Sequence, residues 1–101
     1  MSNGNGLKGA LGLCRKAGKL TMGFDAVCED VYKGKVWLVL TASDLSPKTL
    51  ARLRRACEDL VDVMEMPLEQ YDLCDISRKP VGIYGVADEN LARLCRKHLE
   101  E

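Results

Sequence analysis

The stretch VWLVLTASDLSP, Val36 to Pro47, decides the fold. It opens as an almost continuous apolar run with β-branched and aromatic members, the pattern of a central strand covered on both faces. It closes on Ser46 and Pro47, a serine able to cap a helix and a proline suited to the first helical position. A buried strand passed directly to a helix is the building unit of an α/β protein. Leu50, Leu53, Cys57 and Leu60 give that helix its inner stripe.

The same alternation extends in both directions. Upstream, Phe24, Val27, Cys28 and Val31 mark a helix closed by Gly34. Before it, LTM reads as a short edge strand, and Leu7, Ala10, Leu11 and Cys14 mark a first helix stopped at Gly18. Downstream, VDVMEM alternates as a strand, and Pro67 opens a short helix through Leu68, Tyr71 and Ile76. VGIYGVA is a last strand, weakened by two glycines, and Asp88 caps a final helix carrying Leu91, Leu94, Cys95 and Leu99. Helices alternating with strands predict an α/β fold, a three-layer α/β/α sandwich around a small mixed four-stranded sheet. Residues 1–101 are expected to form a single domain with residues 1–6 disordered.

An apolar fraction of 47% and a charged fraction of 30% are those of an ordinary globular chain. The formal charge of +0 argues against a uniformly basic nucleic-acid protein. That sum conceals a separation. Lys8, Arg15, Lys16 and Lys19 are the only charged side chains up to Phe24, whereas Glu58, Asp59, Asp62, Glu65, Glu69, Asp72 and Asp75 follow one another with no cation between. Segregation of this kind can orient a polyanion on one face of a neutral protein.

Several function classes find no support. The five cysteines show no C-x-x-C spacing, and Cys14, Cys28, Cys57 and Cys95 fall on apolar helix stripes, where a free thiol packs as a small hydrophobe. Unpaired thiols and a start without a signal-like apolar segment lead to a cytoplasmic expectation. The longest apolar run is too short to cross a bilayer. His98 is the only histidine and has no evident nucleophile to serve, and Gly6, Gly9 and Gly12 lack dinucleotide-loop spacing. The expectation is a protein with no catalytic residues, no metal and no cofactor.

The basic stretch is the positive signal. Arg15, Lys16 and Lys19 surround Gly18, and Gly23 begins a new helix whose unpaired N–H groups accept anions. Cations near a helix C-terminus offset the macrodipole, which accounts for one or two of them. Together the cations and the helix start suggest an anion site for backbone phosphates.

AGKLTMGFDAV, KGKVWLVLTASDLSP and KPVGIYGVADENLARL resemble the kink-turn-binding ribosomal-protein family. That family includes the archaeal large-subunit protein L-seven-Ae and its small bacterial YlxQ-like relatives. The likeness runs from about Leu11 to Leu94 and is most specific at Ala17-Gly18-Lys19, at Gly23 and at Leu40 to Pro47. It implies structured RNA, possibly ribosomal, as partner, read by the start of the second helix. Gly23, Phe24, Asp25, Ala26 and Glu29 would form that reading surface, and Ile76, Ser77, Arg78, Lys79 and Pro80 an accessory loop. Arg78 and Lys79 would meet phosphates beside Lys19, Lys33 and Lys35. Where the family's helix begins Gly-x-Asn-Glu-x-x-Lys, this chain has Asp25, Ala26 and Glu29. A donor and an acceptor are lost and a charge is reversed. The alternative is a protein-interaction module of the same fold, bound to a ribosomal or regulatory protein and no longer to RNA.

Overall fold

The computed structural model describes residues 5–100. Helix α1 (Asn5–Lys16) leads to strand β1 (Leu20–Met22), α2 (Phe24–Tyr32), β2 (Leu38–Thr41) and α3 (Pro47–Cys57). Strand β3 (Val63–Glu65), a 3-10 turn (Tyr71–Leu73), α4 (Cys74–Ser77), β4 (Ile83–Val86) and α5 (Glu89–Leu99) follow. The strands lie in the order β1-β4-β2-β3. Strand β4 is antiparallel to both its neighbours, and β2 is parallel to β3. The sheet is therefore mixed, and β1, β2 and β3 all run the same way.

Alternation along the two central strands builds both cores. Leu38, Leu40, Tyr84 and Val86 face α1, α4 and α5, where they pack with Leu7, Leu11, Cys14 and Cys95. Val39 and Ile83 face the other way, onto Val27, Val31, Leu53 and Cys57 of α2 and α3. This is the expected three-layer sandwich. Each buried aliphatic or aromatic side chain contributes about 1.5–3 kcal/mol relative to exposure, and the two-sided burial of β2 and β4 makes them the centre of the fold.

The local signals act as read. Gly18 and Gly34 end their helices at φ +71°, the left-handed conformation that glycine adopts without a Cβ penalty. The Ser46 hydroxyl accepts from Thr49 N–H (3.2 Å) and Asp88 from Leu91 N–H (2.9 Å), so α3 and α5 begin on side-chain caps. Gly82 is needed for space: a Cβ there would lie 2.8 Å from Leu45 Cδ1 and 3.2 Å from Gln70 Cδ. Gly82 just before β4 and Gly85 within it, where a Cβ would lie 3.3 Å from Val36, thus admit close packing along a wholly buried strand rather than weaken it.

Four expectations are corrected. Pro67 and Leu68 are not helical; Asp72 accepts from Glu69 N–H (2.9 Å) and delays the helix until Tyr71. Helix α3 stops at Cys57, leaving Leu60 61% exposed instead of on the inner stripe. Trp37 precedes β2 and is 51% exposed. Val36 and Val39 both face α2 and α3, so the alternation breaks between them and turns the indole outward. The fourth concerns the start of the chain. Residues 1–4 of the segment expected to be disordered lie outside the described residues, whereas Asn5 and Gly6 belong to α1. Among the described residues no helix is long and apolar enough to cross a membrane.

Candidate nucleic-acid interface

Because β1, β2 and β3 are co-directional, their C-terminal ends lie together, and α2 and α3 both start there. Gly23 N–H donates to the Ile83 carbonyl (2.9 Å) and Ala42 N–H to the Gly82 carbonyl (2.9 Å), fixing the two helix starts on either side of the beginning of β4. Crevices outside the carboxyl ends of parallel strands are the usual ligand positions of open α/β sheets. Here the α2 start has a feature that α3 and α5 lack. Its N-cap is Gly23, at φ +98° and ψ 155°, with no side chain to accept a hydrogen bond. The first-turn N–H groups of α2 are left without a side-chain acceptor, and nothing lies within 4 Å of where a Gly23 Cβ would be.

One cation is fixed beside this open helix start. The Arg52 guanidinium of α3 lies 4.8 Å from the centroid of the Phe24 ring, a cation–π contact that places positive charge over the beginning of α2. A helix N-terminus is itself positive, so the pairing is one that a bound anion relieves. Asp25, exposed in the first turn, supplies part of that compensation. Cys28 registers the neighbourhood: burial pushes its thiol up, Asp25 adds to the rise, and Arg52 opposes it.

Arg78 and Lys79 are exposed in the loop that enters β4 at the same end. The loop is braced. Arg78 adopts φ +68° as the C-cap of α4 and donates its N–H to the Cys74 carbonyl (2.8 Å). The Ser77 hydroxyl donates to the Leu73 carbonyl (3.1 Å) and also contacts the carbonyl of Lys79. On the opposite side of Gly82, Asp44 accepts from Gln70 N–H (3.0 Å), which holds the β2–α3 loop.

The remaining sequence-predicted cations are elsewhere. Lys19 precedes β1 and its carbonyl accepts from Ala87 N–H (2.9 Å) beyond the far end of β4, where Trp37 N–H donates to Val86 (2.8 Å). Lys33 and Lys35 follow the C-terminus of α2, whose nine residues span roughly 13 Å at ~1.5 Å each. Arg15 and Lys16 end α1 on the way to Lys19. The expected single rim around the α2 start is therefore corrected to two groups. Gly23, Phe24, Asp25, Arg78 and Lys79 share one end of the sheet; Arg15, Lys16, Lys19, Lys33 and Lys35 share the other. The sequence places Lys19 and Gly23 four residues apart, but those residues are an extended strand that separates them. Lys33, moreover, is paired with Glu29 one helical turn back (2.8 Å), whose hydrogen bond and charge raise the ammonium's pKa.

Over 99% of its length the chain is 27% identical to the RNA-binding protein YlxQ of Enterococcus faecium, 99% of which it covers. The similarity to that protein runs the whole length of both chains. Its fold also matches a protein of unknown function from Bacillus halodurans at a TM-score of 0.84 and 27% identity, over 98% of this chain and 100% of that one. A 15.5 kD RNA-binding protein of Giardia lamblia, 19% identical, shares the fold at a TM-score of 0.72 over 93% of this chain and 82% of its own. No family model matches. The resemblance seen in AGK, Gly23 and the Leu40–Pro47 loop is thus part of a similarity that covers 99% of the chain.

Two side chains at these ends carry no local sequence signal of their place. Arg52 sits on the exposed side of α3, and its position over Phe24 depends on how α2 and α3 pack. Trp37 was absorbed into the apolar run of β2, although the flanking Lys-Gly-Lys of residues 33–35 marked its neighbourhood as polar surface.

Proposed function

We propose that this chain is a non-catalytic RNA-binding protein that seats a sharply bent, kink-turn-like RNA against the start of α2. The observation that carries the reading is the uncapped, glycine-opened N-terminus of α2, whose first residue, Phe24, holds the Arg52 guanidinium against its ring. Free N–H groups and a fixed cation form an anion site whose ligand is a backbone phosphate. Arg78 and Lys79, on the braced loop at the same end, supply further phosphate contacts. The likeness to an RNA-binding YlxQ over the full chain agrees with this polarity of ligand.

Base reading by α2 is reduced relative to the family pattern. Asp25 accepts hydrogen bonds but does not donate, Ala26 offers neither, and Glu29 is engaged with Lys33. Each missing base contact removes about 1–3 kcal/mol of discrimination, so phosphate and shape contacts dominate. A titration against a kink-turn RNA and a copy with its G·A pairs replaced tests the proposal. Tighter binding to the kink-turn is expected. Equal binding reduces the function to backbone attraction, and binding to neither leaves the protein-interaction module, with its acidic Glu58–Asp75 segment, as the better account.

A further inference from the structure

The far end of the sheet carries a cleft that the proposed RNA seat does not use. It encloses about 530 Å³ between the loops that follow α1 and α2, and Lys19, Lys35 and Trp37 line it together with Thr21 and Asp30. That volume is in the range of about 300–1,000 Å³ found for small-ligand sites. Trp37 lines it and is half-exposed, although its neighbours Val36 and Leu38 are buried.

The composition of the cleft is specific. Lys19 and Lys35 lie three residues past the ends of α1 and α2, beyond the last turn where a helix dipole favours cations. Among the described residues neither is in a salt bridge. Their backbone N–H groups close the two helix ends, Lys19 on the Cys14 carbonyl (2.8 Å) and Lys35 on that of Asp30 (3.0 Å), a role any residue but proline could fill, so it leaves their exposed side-chain charge beside the indole unexplained. Gly18 and Gly34 form the rim, and a Cβ on either would meet nothing within 4 Å, so the backbone is open to approach. On the wall, Asp30 is oriented by the Thr21 hydroxyl, which donates to its Oδ2 at 2.6 Å. A flat aromatic face, two cations and one fixed carboxylate match the parts of a nucleotide: a base to stack, phosphates to neutralise, and an amino or imino edge to donate.

We infer that the Trp37 cleft is a second RNA contact, which stacks an unpaired base of a single-stranded segment on Trp37 while Lys19 and Lys35 hold its flanking phosphates. The inference rests on the RNA-binding reading but concerns the opposite end of the sheet. It gives Lys19 and Lys35 a ligand despite their separation from the α2 start.

Trp37 is the chain's single tryptophan, so its emission reports this cleft alone. The test titrates the full chain with a short oligoadenylate, following Trp37 emission and, in parallel, the anisotropy of an end-labelled copy. Saturable quenching at the concentration where anisotropy rises is expected. Trp37→Ala should weaken oligoadenylate binding by about 5- to 150-fold. Lys19→Glu with Lys35→Glu should weaken both quenching and binding, and lower the salt slope by roughly 0.7 per lost phosphate contact. Trp37→Phe, which keeps an aromatic face, should retain most of the affinity. Anisotropy that rises while emission stays constant overturns the inference, as does the absence of any oligoadenylate binding. Arg78→Glu with Lys79→Glu separates the two sites: it should reduce kink-turn binding and leave oligoadenylate quenching unchanged. Kink-turn binding without quenching would refute the cleft alone, and quenching without kink-turn binding would refute only the α2 seat.

Discussion

Replacing Gly23 with alanine isolates the element on which the RNA seat depends. Gly23 combines φ +98° with ψ 155°, a region essentially confined to glycine. A methyl group there meets no atom within 4 Å beyond its own residue and chain neighbours, so the cost is confined to the local backbone conformation. The chain has two responses. It can keep the geometry and accept about 1–3 kcal/mol of backbone strain. Otherwise it can rotate and give up the Gly23 N–H bond to Ile83, a net loss of about 0.5–1.5 kcal/mol, and misplace the start of α2. The first response predicts a fall in stability of about 1–3 kcal/mol, or ~4–8 °C in Tm per kcal/mol for a domain of this size. Urea unfolding followed by circular dichroism measures it, with a lower midpoint at unchanged slope. D-alanine in place of Gly23, introduced by chemical synthesis, is at home at positive φ and should recover most of the loss. A Gly23→Ala protein as stable as the parent would refute the reasoning, as would equal losses with both enantiomers.

Other perturbations follow from the same structure. Ser46→Ala removes the cap that accepts from Thr49 N–H and should cost about 1 kcal/mol in urea unfolding, with Ser46→Gly costing less. Gly82→Ala forces Leu45 and Gln70 aside and should cost about 1–3 kcal/mol, a loss that Leu45→Ala in the same chain partly relieves in a double-mutant cycle. Burial raises the Cys28 and Cys57 thiols above the ordinary 9.0, so they remain protonated in the folded chain after the unfolded chain has begun to ionise. Their contribution is intact below that value, and the urea midpoint should fall as pH rises through it; Cys57→Ala should make the fall shallower. Arg78→Glu should weaken RNA binding at low salt and flatten its salt dependence, read by filter binding across a salt series.

Local chemistry made most of the architecture legible. Ser46-Pro47, Asp88, Gly18 and Gly34 act within a turn of themselves, and their caps and stops are where the sequence places them. The alternation of VDVMEM and the apolar run of β2 likewise point to strands without knowledge of the partners. The errors arose where distance in sequence and distance in space diverge. Lys19 is close to Gly23 along the chain, but an extended strand holds the two at opposite ends of the sheet. Trp37 looks like core from its neighbours, yet the break in alternation between Val36 and Val39 turns it out. Arg52 gained its position from the packing of α2 on α3, a contact to which no local motif refers. Asp25, Ala26 and Glu29 are legible in the sequence as departures from the family pattern, whereas the engagement of Glu29 by Lys33 depends on side-chain geometry.

Amide mapping of the isotopically labelled protein with a kink-turn RNA tests the central claim most directly. The account predicts that the N–H resonances of Phe24, Asp25 and Ala26 shift most, with those of Arg78 and Lys79 following, because these groups border the uncapped start of α2. RNA that binds while leaving the first turn of α2 unmoved would contradict it.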